Sequence, residues 1–294
     1  MLTIDATLRG AVTGTGDERT ITLDPAFGGL PETAHGGSVL ALFDTLASRR
    51  GPRTVRGRYL RRVPLGVPLT LALSRDAVGL GCRVAEHDGT VLVDGRVAPA
   101  DTTACEPTAA PDRGTEVPAR DAATAAPNAV PLPVSLTCLA CGLENPLGLR
   151  ARMMFDATAV STAWTPRPEF RTPDGALSPI VLTTLLDEAA FWLGALASGE
   201  SGMTTELSVT LHGDNAADGA VFISGARAAV RRRADDPRYW ETRLSATDAR
   251  GRPLATAAIT FVAVRGAARR LVTGMLAINP PEVVRRAFPA YCPP

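Results

Sequence analysis

From Pro179 to about Ala197 the chain places apolar side chains on nearly every side of a helix: Ile180, Val181, Leu182, Leu185, Leu186, Ala189, Ala190, Phe191, Trp192, Leu193, Ala195 and Leu196. Such a helix cannot rest on a surface, because other protein must cover most of its faces. The flanking sequence supplies the material. Strand-like segments fall at 159–164 before the helix and at 204–211, 220–230, 239–247 and 254–264 after it. A curved antiparallel sheet folded around one helix is the economical arrangement. Asp187 and Glu188 break the apolar stretch, so it does not read as a membrane span. The opening Met1-Leu2-Thr3-Ile4-Asp5 has neither the basic segment nor the apolar run of a signal peptide.

The same order of elements occurs earlier in the chain. A strand at 21–23 precedes a helix from Ser38 to about Ser48, and strands at 54–59, 68–73, 82–86 and 91–97 follow it. Asp88-Gly89 and Arg250-Gly251-Arg252-Pro253 read as hairpin turns. Between the halves, residues 106–133 turn into Ala, Pro, Thr and isolated charges with no sustained period, the composition of a linker. The 294 residues are near the size at which one core gives way to two. The expected division is an N-terminal domain over 1–105, a linker over 106–133, a C-terminal domain over 134–266 and a tail over 267–294. The tail is expected to hold one helical turn around Val283 to Phe288.

Charge and composition exclude several functions. The formal net charge of +1 provides no global field for nucleic acid or an anionic membrane, so neither partner is expected. All 31 basic residues are Arg. A chain without Lys forms no Schiff base and supplies neither a P-loop lysine nor the strand lysine of a protein kinase. Its five cysteines are an odd number in a long chain with ample apolar residues, which fits a reducing cytoplasm better than a secreted disulfide framework.

Aligning the two helices places His35-Gly36-Gly37 and Asp44 against Ser178-Pro179-Ile180 and Asp187, with nine residues from His35 to Asp44 and from Ser178 to Asp187. A carboxylate two turns into an apolar helix needs a partner, water or a task. Asp44 also reads as a helix-surface acid, whereas the neighbours of Asp187 favour function. His35-Gly36-Gly37 heads its helix, where free N–H groups and the positive dipole end can polarise a carbonyl oxygen. A plain glycine turn with a surface His is the alternative. Ser178-Pro179 reads as an ordinary cap followed by a residue with no N–H to donate.

Three stretches resemble the hotdog-fold acyl-CoA thioesterases, in the branch that includes phenylacetate-pathway and 4-hydroxybenzoyl-CoA thioesterases of the glycine/aspartate type. They are His35-Gly36-Gly37 with Asp44; the segment from Val55 to Leu69, with Arg62 where proline is commoner; and Cys138-Leu139-Ala140-Cys141-Gly142-Leu143-Glu144-Asn145-Pro146-Leu147-Gly148-Leu149, followed by Leu185-Leu186-Asp187-Glu188-Ala189. The resemblance implies an α+β protein of two tandem hotdog domains, each a curved antiparallel sheet around one central helix, paired as a pseudo-dimer. It implies hydrolysis of an acyl thioester carried by coenzyme A or an acyl-carrier protein, with coenzyme A present only as part of the substrate and no cofactor. It also implies one working site per chain: Gly36, with His35 and Gly37 around it, facing Asp187 as nucleophile or general base. Asp44, Thr183, Thr184 and Glu188 are secondary candidates, the threonines as orienting groups or as helix-surface residues. Assembly is expected to be a monomeric pseudo-dimer or a homo-oligomer.

A hotdog hydratase or dehydratase is a second reading, disfavoured because no His has an Asp five residues before it. A non-catalytic acyl-binding protein is a third, favoured by the degenerate second site. Cys138 and Cys141 form one pair with no second pair or His at zinc spacing, so they read as structural and no metal is expected. No Gly-x-Ser-x-Gly elbow occurs, and Gly14-Thr15-Gly16 lacks the third glycine of a dinucleotide site. Arg49-Arg50, Arg61-Arg62 and Arg231-Arg232-Arg233 suit either coenzyme A phosphates, an acidic carrier, or a solvated face.

Overall fold

Alternation of buried and exposed residues decides which way each strand faces. In β4 (Leu69–Arg75), Leu69, Leu71 and Leu73 point inward while Ala72 and Ser74 face solvent, and in β11 (Val221–Ala226) Val221, Ile223 and Gly225 point inward. The computed structural model describes residues 3–100, 128–213, 215–217 and 219–292, so the expected linker lies outside the described residues up to position 127.

The first half runs α1 (Ile4–Gly10), β1 (Val12–Thr13), β2 (Glu18–Ile21), α2 (Gly36–Ala47), β3 (Arg53–Tyr59), β4, β5 (Leu80–Ala85) and β6 (Val91–Pro99). The second runs β7 (Val130–Pro131), β8 (Met154–Phe155), β9 (Ala159–Trp164), α3 (Pro179–Ser198), β10 (Gly202–Leu211), β11, β12 (Arg231–Arg232), β13 (Tyr239–Asp248) and β14 (Pro253–Ala263). Two helices follow, α4 (Ala267–Leu276) and α5 (Pro281–Ala287). The strand expected over 220–230 ends at Ala226, where a 3-10 turn over Arg227–Ala229 takes the chain out of the ladder.

Among the described residues all the strands join one antiparallel sheet in the order β1-β2-β4-β5-β6-β3-β10-β14-β13-β11-β9-β8-β7, with β12 beside β13. The seam between halves is β3 against β10, with Val55 opposite Val209, both facing the core. This register carries the sheet from one half into the other and brings α2 and α3 together on its inner side. A Cβ added to Gly37 would lie 2.6 Å from backbone atoms of Thr183 and Thr184. Only glycine permits that approach of the two helices.

The expected tail is not peripheral. Ala268, Val272, Met275, Val284, Ala287 and Phe288 belong to the main core, and the Phe288 ring lies 6.0 Å from that of Trp192 on α3. The tail forms two helices rather than one turn because Ala268, Leu271, Val272 and Met275 make an apolar stripe at helical spacing, which closes over the end of α3.

Candidate active site

The N-terminus of α2 is the anchor of the site. His35 caps it in an extended conformation (φ −64°, ψ 130°), and Gly36 is its first helical residue, whose N–H has no acceptor within the helix. The Gly37 N–H donates to Oδ2 of Asp187 at 3.0 Å, a bond between residues 150 positions apart. The glycines allow this contact. A Cβ on Gly36 would lie 2.8 Å from Asp187 Oδ2, and one on Gly37 would strike α3. Asp187 therefore reaches from the helix of the second half to the positive end of the helix of the first, where a carboxylate is electrostatically favoured.

Both oxygens of Asp187 are held. Thr204, at the start of β10, donates its hydroxyl to Oδ1 at 2.6 Å, and Nδ1 of His35 lies 3.1 Å from Oδ2. Burial by itself pulls His35 down. The facing carboxylates of Asp187 and Glu188 outweigh burial and hold it well above the usual histidine range. A proton on Nδ1 points at Asp187, which leaves the Gly37 N–H to the carboxylate rather than to the ring nitrogen 3.2 Å away. On the other side of the ring, Nε2 lies 3.6 Å from Oε2 of Glu188, and Oε1 of Glu188 accepts from the indole N–H of Trp192 at 3.1 Å. Tyr59, at the end of β3, donates to the Gly36 carbonyl at 2.6 Å. Burial, and secondarily the Asp187 charge, push its phenol well above the ordinary value, so it remains a donor. Cys138 is lowered chiefly by a hydrogen bond from Cys141, whose own thiol is pushed well up by that bond and by burial.

These groups line a cavity of about 370 Å³ whose walls include Phe191, Trp192 and Met203, with Leu271, Met275 and Ile278 contributed by the C-terminal segment. Arg61, Arg62 and Arg270 also border it. Of the candidates read from the sequence, His35, Gly36, Asp187 and Glu188 line this cavity, and Gly37 joins them through its N–H on Asp187.

The other three candidates do not reach Asp187's carboxylate. Thr183 donates to the Gly37 carbonyl at 2.7 Å and so ties the two helices together, and the buried Thr184 hydroxyl has no partner. The orienting hydroxyl is instead that of Thr204, which no helical spacing marks. Asp44 is not a surface acid: it forms a buried, two-pronged ion pair with Arg53, at 2.5 and 2.8 Å, and Arg53 faces it from the first position of β3. It borders a second cavity together with Pro179. Ser178 precedes α3, but its hydroxyl makes no capping bond and is buried without a partner.

No protein-family model matches the chain, and no curated protein matches it. Solved structures do. A thioesterase II candidate from Thermobifida fusca is 16% identical, with a TM-score of 0.58 over 88% of this chain and 99% of that one. The CurJ dehydratase is 10% identical, with a TM-score of 0.57 over 89% and 96%. A protein of unknown function with a hot dog fold from Alicyclobacillus acidocaldarius is 13% identical, with a TM-score of 0.51 over 88% and 97%. At such identities the likeness is one of fold. The chain thus has the hotdog fold twice over, an α+β double hotdog in which each half lays a curved antiparallel sheet around one central helix.

Proposed function

We propose that the chain hydrolyses an acyl thioester. The observation that carries this reading is the meeting, inside a cavity, of a carboxylate from one half with the N-terminus of the central helix from the other. A thioester carbonyl oxygen set against the Gly36 N–H would feel a donor and the positive helix end, the arrangement that stabilises a developing oxyanion. Asp187 stands beside it. A carboxylate accepts about four hydrogen bonds, and three donors occupy Asp187, two on Oδ2 and one on Oδ1. The open lone pair on Oδ1 is the one that would take a proton from water or attack the acyl carbon directly. Either way water adds to the acyl group, the C–S bond breaks, and the thiolate leaves with a proton. Arg61, Arg62 and Arg270 suit the phosphates of coenzyme A or of a carrier-bound pantetheine arm, and Phe191, Trp192 and Met275 suit an apolar acyl chain.

The experiment is hydrolysis of an acyl-CoA panel followed with a thiol reagent. Asp187→Asn is expected to lower the rate by a factor on the order of 10² to 10⁴ while keeping the fold; undiminished hydrolysis would remove the mechanism.

A buried His beside an Asp also suits water elimination from a 3-hydroxyacyl thioester, and the similarity to a dehydratase fold keeps that reading in view. The geometry favours hydrolysis, because Nδ1 of His35 is engaged by Asp187 and Nε2 faces Glu188, so neither is directed at a substrate proton. The same panel separates the two: free thiol marks a hydrolase, and a new conjugated double bond marks a lyase.

A further inference from the structure

Three atoms in the cavity wall have no task in the hydrolytic reading: Nε2 of His35, Sγ of Cys138 and Oε2 of Glu188. Their residues are all buried, and the three atoms lie within 4.8 Å of one another. Nε2 to Oε2 is 3.6 Å, too long for an N–H···O hydrogen bond, and Sγ to Oε2 is 3.9 Å. Donors about 2.0–2.3 Å from a tetrahedral zinc ion stand roughly 3.4–3.6 Å apart. Two of the three separations therefore come within a few tenths of an ångström of that geometry.

The atoms behind these donors are already engaged. Nδ1 of His35 faces Oδ2 of Asp187 at 3.1 Å, which leaves Nε2 as the ring's free ligand atom. A carboxylate on the far nitrogen is the usual support of a metal-bound histidine. Oε1 of Glu188 accepts from Trp192, which leaves Oε2, and Cys138 Sγ receives the Ala140 N–H at 3.3 Å, a contact that supports a thiolate. A neutral imidazole, a thiolate and a carboxylate together carry two negative charges, the complement of a divalent cation, and this mixed N, S and O set suits zinc better than a hard cation.

We propose that His35, Cys138 and Glu188 bind one zinc-class divalent ion, with the remaining coordination position turned toward the cavity. No spacing along the chain announces this site, because its donors come from a helix cap, a loop and the middle of α3, more than a hundred residues apart at the extremes. The ion would fix the imidazole with Nδ1–H directed at Asp187, which makes Cys138 and Glu188 positioning residues. The proposal goes beyond the hydrolytic reading and stands without it.

The test uses the full chain, stripped with a chelator and then loaded with Zn(II) or Co(II). Elemental analysis is expected to find one ion per chain, and the Co(II) form to show thiolate-to-metal charge-transfer absorbance. Cys138→Ser should lose that absorbance and weaken binding by roughly 10-fold or more, as loss of a ligand requires. Glu188→Gln should weaken binding but keep the band at saturating Co(II). Cys82→Ser, at a buried thiol in β5, should change neither. Absence of stoichiometric uptake, or uptake with an unchanged spectrum in Cys138→Ser, overturns the proposal. If circular dichroism shows that Cys138→Ser does not fold, Glu188→Gln decides it: unweakened binding there is equally fatal. Asp187→Asn should still take up the ion, so failure of the hydrolytic reading and failure of this one are separate results.

Discussion

At Asp187 every hydrogen bond to the carboxylate comes from outside the helix that carries it. The Gly37 amide and the His35 ring hold one oxygen, and Thr204 holds the other. Hydrogen bonds to charged groups contribute about 1.5–3 kcal/mol, so loss of one should tilt the carboxylate without unfolding the chain. Thr204→Val is isosteric and removes only the donor. Steady-state kinetics on an acyl-CoA are expected to show kcat lowered on the order of 10-fold or more, with an unchanged circular dichroism spectrum and a melting temperature lowered by only several degrees. An unaltered kcat would mean that Thr204 does not position the acid.

The element that most alters the reading of this chain is α4. It caps the end of α3, and its residues share a cavity with Asp187. Together with α5 it is part of the core rather than an appendage, and Phe288 tests that directly. The ring is fully buried near Trp192, so Phe288→Ala leaves a cavity where two elements meet. Urea unfolding is expected to show a loss of about 3–5 kcal/mol. A tail that merely lay on the surface would give a change within about 0.5 kcal/mol.

Across the whole molecule the two halves are alike in path and unlike in chemistry. The first half offers a glycine-headed helix to Asp187; the second offers Pro179, and the corresponding acid, Asp44, is neutralised by Arg53. Where one half holds Asp187 the other holds a buried ion pair close to the seam, since β3, which begins at Arg53, pairs with β10. Breaking such a pair strands a charge. Arg53→Met is expected to destabilise the chain by about 3–5 kcal/mol in denaturant unfolding, while the rate of thioester hydrolysis per folded chain stays the same. A proportionate fall in that rate would place a second working site at Asp44.

The duplicated order of helix and strands, the need to wrap α3 and the glycine-headed start of α2 were all legible in the sequence. Each is written in local periodicity, turn chemistry or capping, where neighbours in the chain are neighbours in space. The likeness of three short stretches to a known family added the pairing of Gly36 with Asp187. The stripe Ala268, Leu271, Val272 and Met275 is present in the sequence, but among the polar residues around it the tail reads only as one helical turn around Val283 to Phe288, and the structure adds the helix before it. Only the tertiary structure decided that Asp44 meets Arg53, that Thr204 rather than Thr183 holds the carboxylate, and that Cys138 and Glu188 close on His35. Those contacts depend on the β3–β10 register and the close approach of α2 to α3. Residues far apart in the chain set both, and no repeat of 2 or 3.6 residues encodes them.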